Sequence, residues 1–143
     1  MTVARILAVK GRDVFTTQPH RTLQETAGLL ASRKIGAVVV TGADDSVLGI
    51  ISERDIVRAV AERGAAALDD AVSRHMTSDV FTATVGASIN DIMERMTRSR
   101  FRHVPVVENE RLAGLVSIGD LVKHRIAEIE TEHRALREYI ATA

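Results

Sequence analysis

The sequence predicts an α/β (α+β) fold: two copies of a small βαββα unit packed on each other, followed by a long C-terminal helix. Three observations carry that reading. Val14-Phe15-Thr16 returns as Val80-Phe81-Thr82, from position 14 to position 80, an offset of 66. Gly49-Ile50-Ile51-Ser52-Glu53-Arg54-Asp55 returns as Gly114-Leu115-Val116-Ser117-Ile118-Gly119-Asp120, from 49 to 114, an offset of 65. Repetition at a fixed spacing redefines the folding unit before any other feature is read. Beyond the second copy, apolar residues recur at alternating steps of 4 and 3, the period of a helix.

A chain of 143 residues is enough for one domain with a real core. Half of it, about 65–70 residues, buries little alone, so the copies are expected to share one module. The expected bounds are 3–64 for the first copy, 72–125 for the second and 126–143 for the helical extension. There is no Cys, which excludes disulfides and thiolate chemistry. No apolar run approaches the roughly 18–20 residues that span a bilayer, and the N-terminus lacks a signal-peptide pattern. A cytoplasmic protein without a membrane partner is expected. Nineteen basic and 19 acidic residues give a formal net charge of zero. With no basic block and only 3% aromatic residues, nucleic-acid binding is not expected either.

The elements follow in order. Val3 to Leu7 reads as a short apolar-faced lead-in, matched later by Val72-Ser73-Arg74-His75-Met76. Lys10 to Thr17 holds a strand at Val14-Phe15-Thr16. Thr22, with Glu25 three residues on, predicts a capping box, and Leu23, Ala27, Leu30 and Ala31 share one helix face. Ile35 to Thr41 is a β-branched run suited to a strand buried on both faces. Gly42 to Asp45 has turn chemistry, Val47 to Ser52 is the returning strand, and Asp55 to Glu62 reads as helical.

The second copy repeats this order. Val80-Phe81-Thr82 is the strand, Ser88 with Asp91 starts the helix, and Ile89, Ile92, Met93 and Met96 are its apolar face. Phe101 to Val107 and Leu112 to Ser117 form a hairpin. The joining segment Arg63 to Asp70 has an Ala run that favours helix over flexible linker. A continuous helix from Ile118 to Ile140 would run about 34 Å at 1.5 Å per residue. Its seam is Val122, Ile126, Ile129, His133, Leu136 and Ile140, and the expected i,i+4 pairs are Glu130–Arg134 and Arg134–Glu138. This seam predicts a homodimer contact, which protonation of His133 would weaken.

The doubled Gly-h-h-Ser-x-x-Asp, together with Val72-Ser73-Arg74-His75-Met76 and Arg100-Phe101-Arg102-His103-Val104-Pro105-Val106-Val107, resembles a tandem pair of CBS (cystathionine-beta-synthase) domains, a Bateman module. The resemblance runs from Val3 to about Arg125 and implies copies packed with pseudo-twofold symmetry and two clefts between them. It implies no catalytic residue, metal or required cofactor, but an adenine-containing ligand: AMP, ADP, ATP, NAD or S-adenosylmethionine. Each cleft would combine the Ser-x-x-Asp of one copy with the strands of the other. Cleft one then comprises Ser52, Arg54, Asp55, Thr77, Val80, Phe101, Arg102, His103, Val104 and Pro105. Cleft two comprises Lys10, Gly11, Val14, Ile35, Gly36, Ala37, Val38, Ser117, Gly119 and Asp120.

Chemistry agrees with these roles. A carboxylate accepts from two vicinal ribose hydroxyls at once, and a Ser before a helix sits beside free backbone N–H groups. Arg102 offers a planar fork for phosphate. Asp55 and Asp120 also suit plain helix caps. Arg102-His103 corresponds to Gly36-Ala37 in the first copy, so cleft one is expected to favour phosphorylated ligands while cleft two relies on Lys10. The function expected is a regulatory nucleotide sensor acting in trans on an unknown effector protein. The alternatives are a structural homodimerisation module with vestigial clefts, or a nucleotide hydrolase. The last lacks a nucleophile elbow, a zinc-binding His pair or a phosphate loop.

Overall fold

The structure, a computed structural model, describes residues 1–142. The first copy builds a three-stranded sheet from β1 (Thr16–Thr17), β2 (Ala37–Thr41) and β3 (Val47–Ser52), in the order β1-β2-β3. β1 runs parallel to β2, and β2 is antiparallel to β3 with Ala37 opposite Ser52. All five residues of β2 are buried, as its β-branched run requires. Between β1 and β2 lies α2 (Leu23–Arg33), capped by Thr22, whose hydroxyl accepts from the Glu25 amide at 3.1 Å. After β3 comes α3 (Glu53–Arg63).

In the second copy, α5 (Ile89–Ser99) precedes a hairpin of β4 (His103–Glu108) and β5 (Arg111–Ser117). The expected strand at Val80-Phe81-Thr82 does not form. Its pairing shrinks to one parallel bridge, Ala83 to Val106, the counterpart of Thr17 to Val40 at the offset of 66. Val80, Phe81 and Thr82 line a cavity wall instead. In the first copy the strand begins at Thr16 rather than Val14. There Thr17 is buried with its hydroxyl 3.4 Å from that of Thr26, a polar pair that favours ladder over cavity wall.

Both lead-ins are helices, α1 (Val3–Lys10) and α4 (Val72–His75), and each packs on the opposite copy. Val3, Ile6 and Leu7 of α1 join Ile89, Ile92, Met96, Val104, Val106, Val116 and Leu121 in one core. Val72 of α4 joins Leu23, Leu30, Val38, Val40, Ile51 and Ile56 in the other, with Met76 against it. Backbone bridges record the same exchange: Thr2 pairs with Ser88, and Thr22 with Ala71. The repeated glycines make room for it. A Cβ on Gly114 would lie 2.8 Å from Leu7 Cδ2, and one on Gly49 would lie 2.6 Å from the Thr77 carbonyl oxygen and 3.0 Å from Met76 Sδ.

The joining segment is a 3-10 helix at Gly64–Asp69. After it, Asp70 gathers Arg63 at 2.8 Å, His75 at 2.7 Å and Arg74 at 3.5 Å. The chain ends in α6 (Ile118–Thr142), whose 25 residues extend about 37 Å. Leu121 is its buried anchor, while Val122, Ile126, Ile129, Leu136 and Ile140 of the seam are exposed. Arg125 pairs with Glu128 at 2.8 Å, with His124 Nε2 3.2 Å from the same carboxylate, rather than Arg134 linking to Glu130 or Glu138. Among the described residues no helix is long and apolar enough to cross a membrane.

Candidate functional site

Ser52 closes β3 and caps α3, so the strand-to-helix turn presents both Ser52 and Asp55 at one point. The Ser52 hydroxyl accepts from the Asp55 amide at 3.3 Å, while Asp55 Oδ2 accepts from the Ser52 amide at 2.8 Å and the Ser52 hydroxyl at 3.0 Å. The capping role expected as the alternative is therefore real. Among the described residues it leaves Asp55 Oδ1 with only Arg58 Nη1, at 3.8 Å.

This turn opens on a cavity of about 860 Å³ between the copies, within the size range of small-molecule sites. Ser52, Arg54, Asp55, Thr77, Val80, Phe101, Arg102 and His103 all line it, so eight of the ten residues expected in cleft one meet there. Val104 and Pro105 do not. Both are buried in β4: Val104 packs into the second core, and the Pro105 carbonyl accepts from the Ala83 amide at 3.0 Å. Thr77 reaches the cavity because it exchanges two 2.9 Å backbone bonds with Ile50, extending the first sheet with second-copy chain.

Sequence reasoning missed Arg58, Asp79, Phe81, Arg95 and Arg100, which line the same cavity. Phe81 and Phe101 pack with ring centroids 5.7 Å apart, and the Arg95 guanidinium lies 4.1 Å over the Phe81 ring. That stacking fixes a cation on an aromatic wall. A position-by-position comparison of the copies singles out Arg95, which stands where the first copy has Leu29; Asp79 and Phe81 repeat Asp13 and Phe15 and carry no such signal.

Cleft two is built differently. Asp120 Oδ2 accepts from the Ser117 amide at 2.8 Å, and the Ser117 hydroxyl accepts from the Asp120 amide at 3.2 Å, so the turn is repeated. Here Lys10, the last residue of α1, donates to Asp120 Oδ2 at 2.6 Å and to the Leu115 carbonyl at 2.7 Å. Lys10 thus pairs with the acid of the turn beside which it was expected in cleft two. Gly11 ends α1 with φ 98°, a conformation suited to glycine, and its amide donates to the Leu7 carbonyl at 2.7 Å. Gly36 and Ala37 line the cleft-one cavity, and Val38 is fully buried core. Val14 and Ile35 are half-buried, Ile35 packing against the first core, and Gly119 is exposed on the first turn of α6.

Electrostatics separate the two turns. Burial pushes the Asp120 carboxyl up, but the bonds from Lys10 and Ser117 more than offset it and hold it below the usual carboxylate value. Burial, and then the Lys10 ammonium, hold the His103 imidazole below its usual value; Arg102 adds to this, while Asp120 and Glu53 oppose it. His103 thus feels groups from both turns and stands between them.

A profile of the CBS domain matches residues 7–62 and 71–127. The chain belongs to the CBS domain family. This CBS pair is similar to the crystal structure of a CBS-domain containing protein from Agrobacterium tumefaciens, with 54% identity, TM-score 0.84, and coverage of 87% of this chain and 99% of that one. It is also similar to a CBS domain protein from Pyrobaculum aerophilum solved in complex with AMP. That protein is 32% identical, with TM-score 0.75, over 84% of this chain and 89% of the other. Among curated proteins, an uncharacterized 17.7 kDa protein of Acidianus ambivalens is 36% identical over 120 residues, 83% of this chain and 71% of that protein.

Proposed function

We propose that this CBS pair is a regulatory module that binds an adenine nucleotide in cleft one and acts in trans on an effector protein. The observation that carries this reading is the Ser52–Asp55 turn facing an 860 Å³ cavity walled by aromatic and guanidinium groups. In this reading Asp55 Oδ1 accepts from ribose hydroxyls, Phe81 and Phe101 offer apolar faces for a base, and Arg102 contacts phosphate; all four residues line the cavity. The related protein solved with AMP supports the ligand class. Occupancy alters the output only by favouring one arrangement of the copies over another.

We further propose that two chains pair through α6. Its exposed seam residues keep helical register along the whole element, and a solvated tail has no physical reason to keep an apolar stripe.

A thermal-shift panel of AMP, ATP, NAD and S-adenosylmethionine on wild type and Asp55→Ala tests the binding role. A ligand at 100 times its dissociation constant stabilises by about 2.7 kcal/mol. No shift with any compound defeats the sensor reading and leaves the purely structural dimer; turnover of nucleotide above background favours an enzyme.

A further inference from the structure

Five arginines line one cavity. Arg54 and Arg58 come from α3, Arg95 and Arg100 from the body and C-cap of α5, and Arg102 from the residue before β4. Glu53, Asp55 and Asp79 are the carboxylates on the same wall. Asp55 is held by the Ser52 turn, and Glu53 lies against Gly36, with Oε1 3.4 Å from where a Cβ would stand. Among the described residues, Arg58 is the one member of the five with a carboxylate within 4.0 Å, Asp55 at 3.8 Å. Clustering cations this way works against folding through mutual repulsion, so the cluster calls for a reason.

The duplicated architecture supplies an internal control. At the offset of 66, Arg95, Arg100 and Arg102 correspond to Leu29, Lys34 and Gly36; at the offset of 65, Arg54 and Arg58 correspond to Gly119 and Lys123. The same helices and strands therefore form with leucine, lysine and glycine in these places. Arginine there is not a requirement of the scaffold, and it belongs to what the cavity holds.

The number of guanidinium groups sets the size of the anion. A single phosphate group presents three acceptor oxygens, whereas each guanidinium can donate two parallel bonds. All five side chains are exposed, so one phosphate leaves most of these donors to water and their charges still opposed. A chain of phosphates satisfies them and relieves the repulsion.

Resting on the adenine-nucleotide reading above, we infer that cleft one selects a nucleoside polyphosphate, with three or more negative charges on its phosphate chain. It disfavours a nucleoside monophosphate and rejects a sulfonium nucleoside, which would place a cation among cations.

Isothermal titration of the full chain in magnesium-free buffer tests this, using adenosine, AMP, ADP, ATP, S-adenosylmethionine and inorganic tripolyphosphate. Affinity is expected to rise at least tenfold from AMP to ATP, tripolyphosphate to compete with ATP, and ATP binding to fall more steeply with salt than AMP binding. Arg100→Gln with Arg102→Gln is expected to reduce ATP to the level of AMP and leave adenosine unchanged; if that variant misfolds, the salt series on wild type decides. ATP no tighter than AMP, or S-adenosylmethionine as tight as ATP, overturns this inference while the adenine-nucleotide reading stands. Failure of every adenine compound overturns both.

Discussion

Lys10 and Asp120 stand 110 positions apart, yet the Lys10 ammonium donates to Asp120 Oδ2 at 2.6 Å. The first helix of the chain thus sets its terminal ammonium on one oxygen of the acid in the last repeat's turn. Lys10→Met is expected to release Asp120 and raise nucleotide stoichiometry from one to two per chain, read by calorimetric titration. The pair is half-exposed, with side chains 37% and 25% accessible, so its loss costs only about 0–1 kcal/mol of stability. Wild type already binding two nucleotides with Lys10 in place contradicts this expectation.

Asp55→Ala removes both a cap and the proposed ribose acceptor. Loss of its half of the Ser52 capping box is expected to cost up to about 1 kcal/mol in the apo protein. The separate signature of binding is that nucleotides no longer raise its melting temperature. A variant that melts lower yet keeps the full ligand shift would reduce Asp55 to a helix cap.

Gly49 and Gly114 differ in what an added methyl would strike. At Gly114 the obstacle is the buried end of the Leu7 side chain at 2.8 Å; at Gly49 it is the Thr77 carbonyl at 2.6 Å, part of the Ile50–Thr77 bridge. Overpacking of this kind costs about 1–3 kcal/mol. Gly49→Ala is expected at or above the top of that range and Gly114→Ala lower in it, by urea unfolding. The reverse order would mean that the bridge yields more easily than the core.

His103 is expected to couple nucleotide binding to pH. Its imidazole is held below its usual value in the unliganded protein, first by burial and then by Lys10. An unfolded chain therefore takes up this proton more readily than the folded one, so the contribution of His103 to stability falls as pH drops below the reference value of about 6.5. A bound polyanion acts in the opposite sense and raises the imidazole value. Nucleotide affinity is expected to increase from pH 7.5 to 5.5 with proton uptake, measured by titration in buffers of different ionisation heat. His103→Gln is expected to flatten this dependence; an unchanged slope would place the proton elsewhere.

The apolar stripe on α6 is tested by Ile126→Glu and Ile129→Glu. Light scattering is expected to show a dimer in wild type and a monomer in the double variant, with the nucleotide thermal shift retained. A wild-type monomer at high concentration would assign the stripe to some other partner.

Local chemistry made much of this legible. The Thr22–Glu25 and Ser52–Asp55 turns, the wholly buried run Ala37–Thr41 and the long α6 all follow from residues close in sequence. Eight cleft-one residues follow from a repeat read together with the family resemblance. What was not legible depends on distant pairing. No local pattern tells α1 to leave its own copy for Leu121, or Lys10 to reach Asp120. Arg95 and Arg100 look like ordinary solvated helix residues until the opposite copy's Asp55 is placed across from them. Val80-Phe81-Thr82 repeats Val14-Phe15-Thr16, of which only Thr16 enters a strand, and Phe81 packs with Phe101 and Arg95 instead of joining a ladder.

The crossed lead-in helices also impose an order on synthesis at the ribosome. The first core lacks Val72 until the second repeat has begun to emerge, and Val3, Ile6 and Leu7 have no finished partner surface until Leu121 is made. Cutting the gene at the repeat boundary would therefore yield two incomplete products rather than two domains, each missing the piece carried by the other.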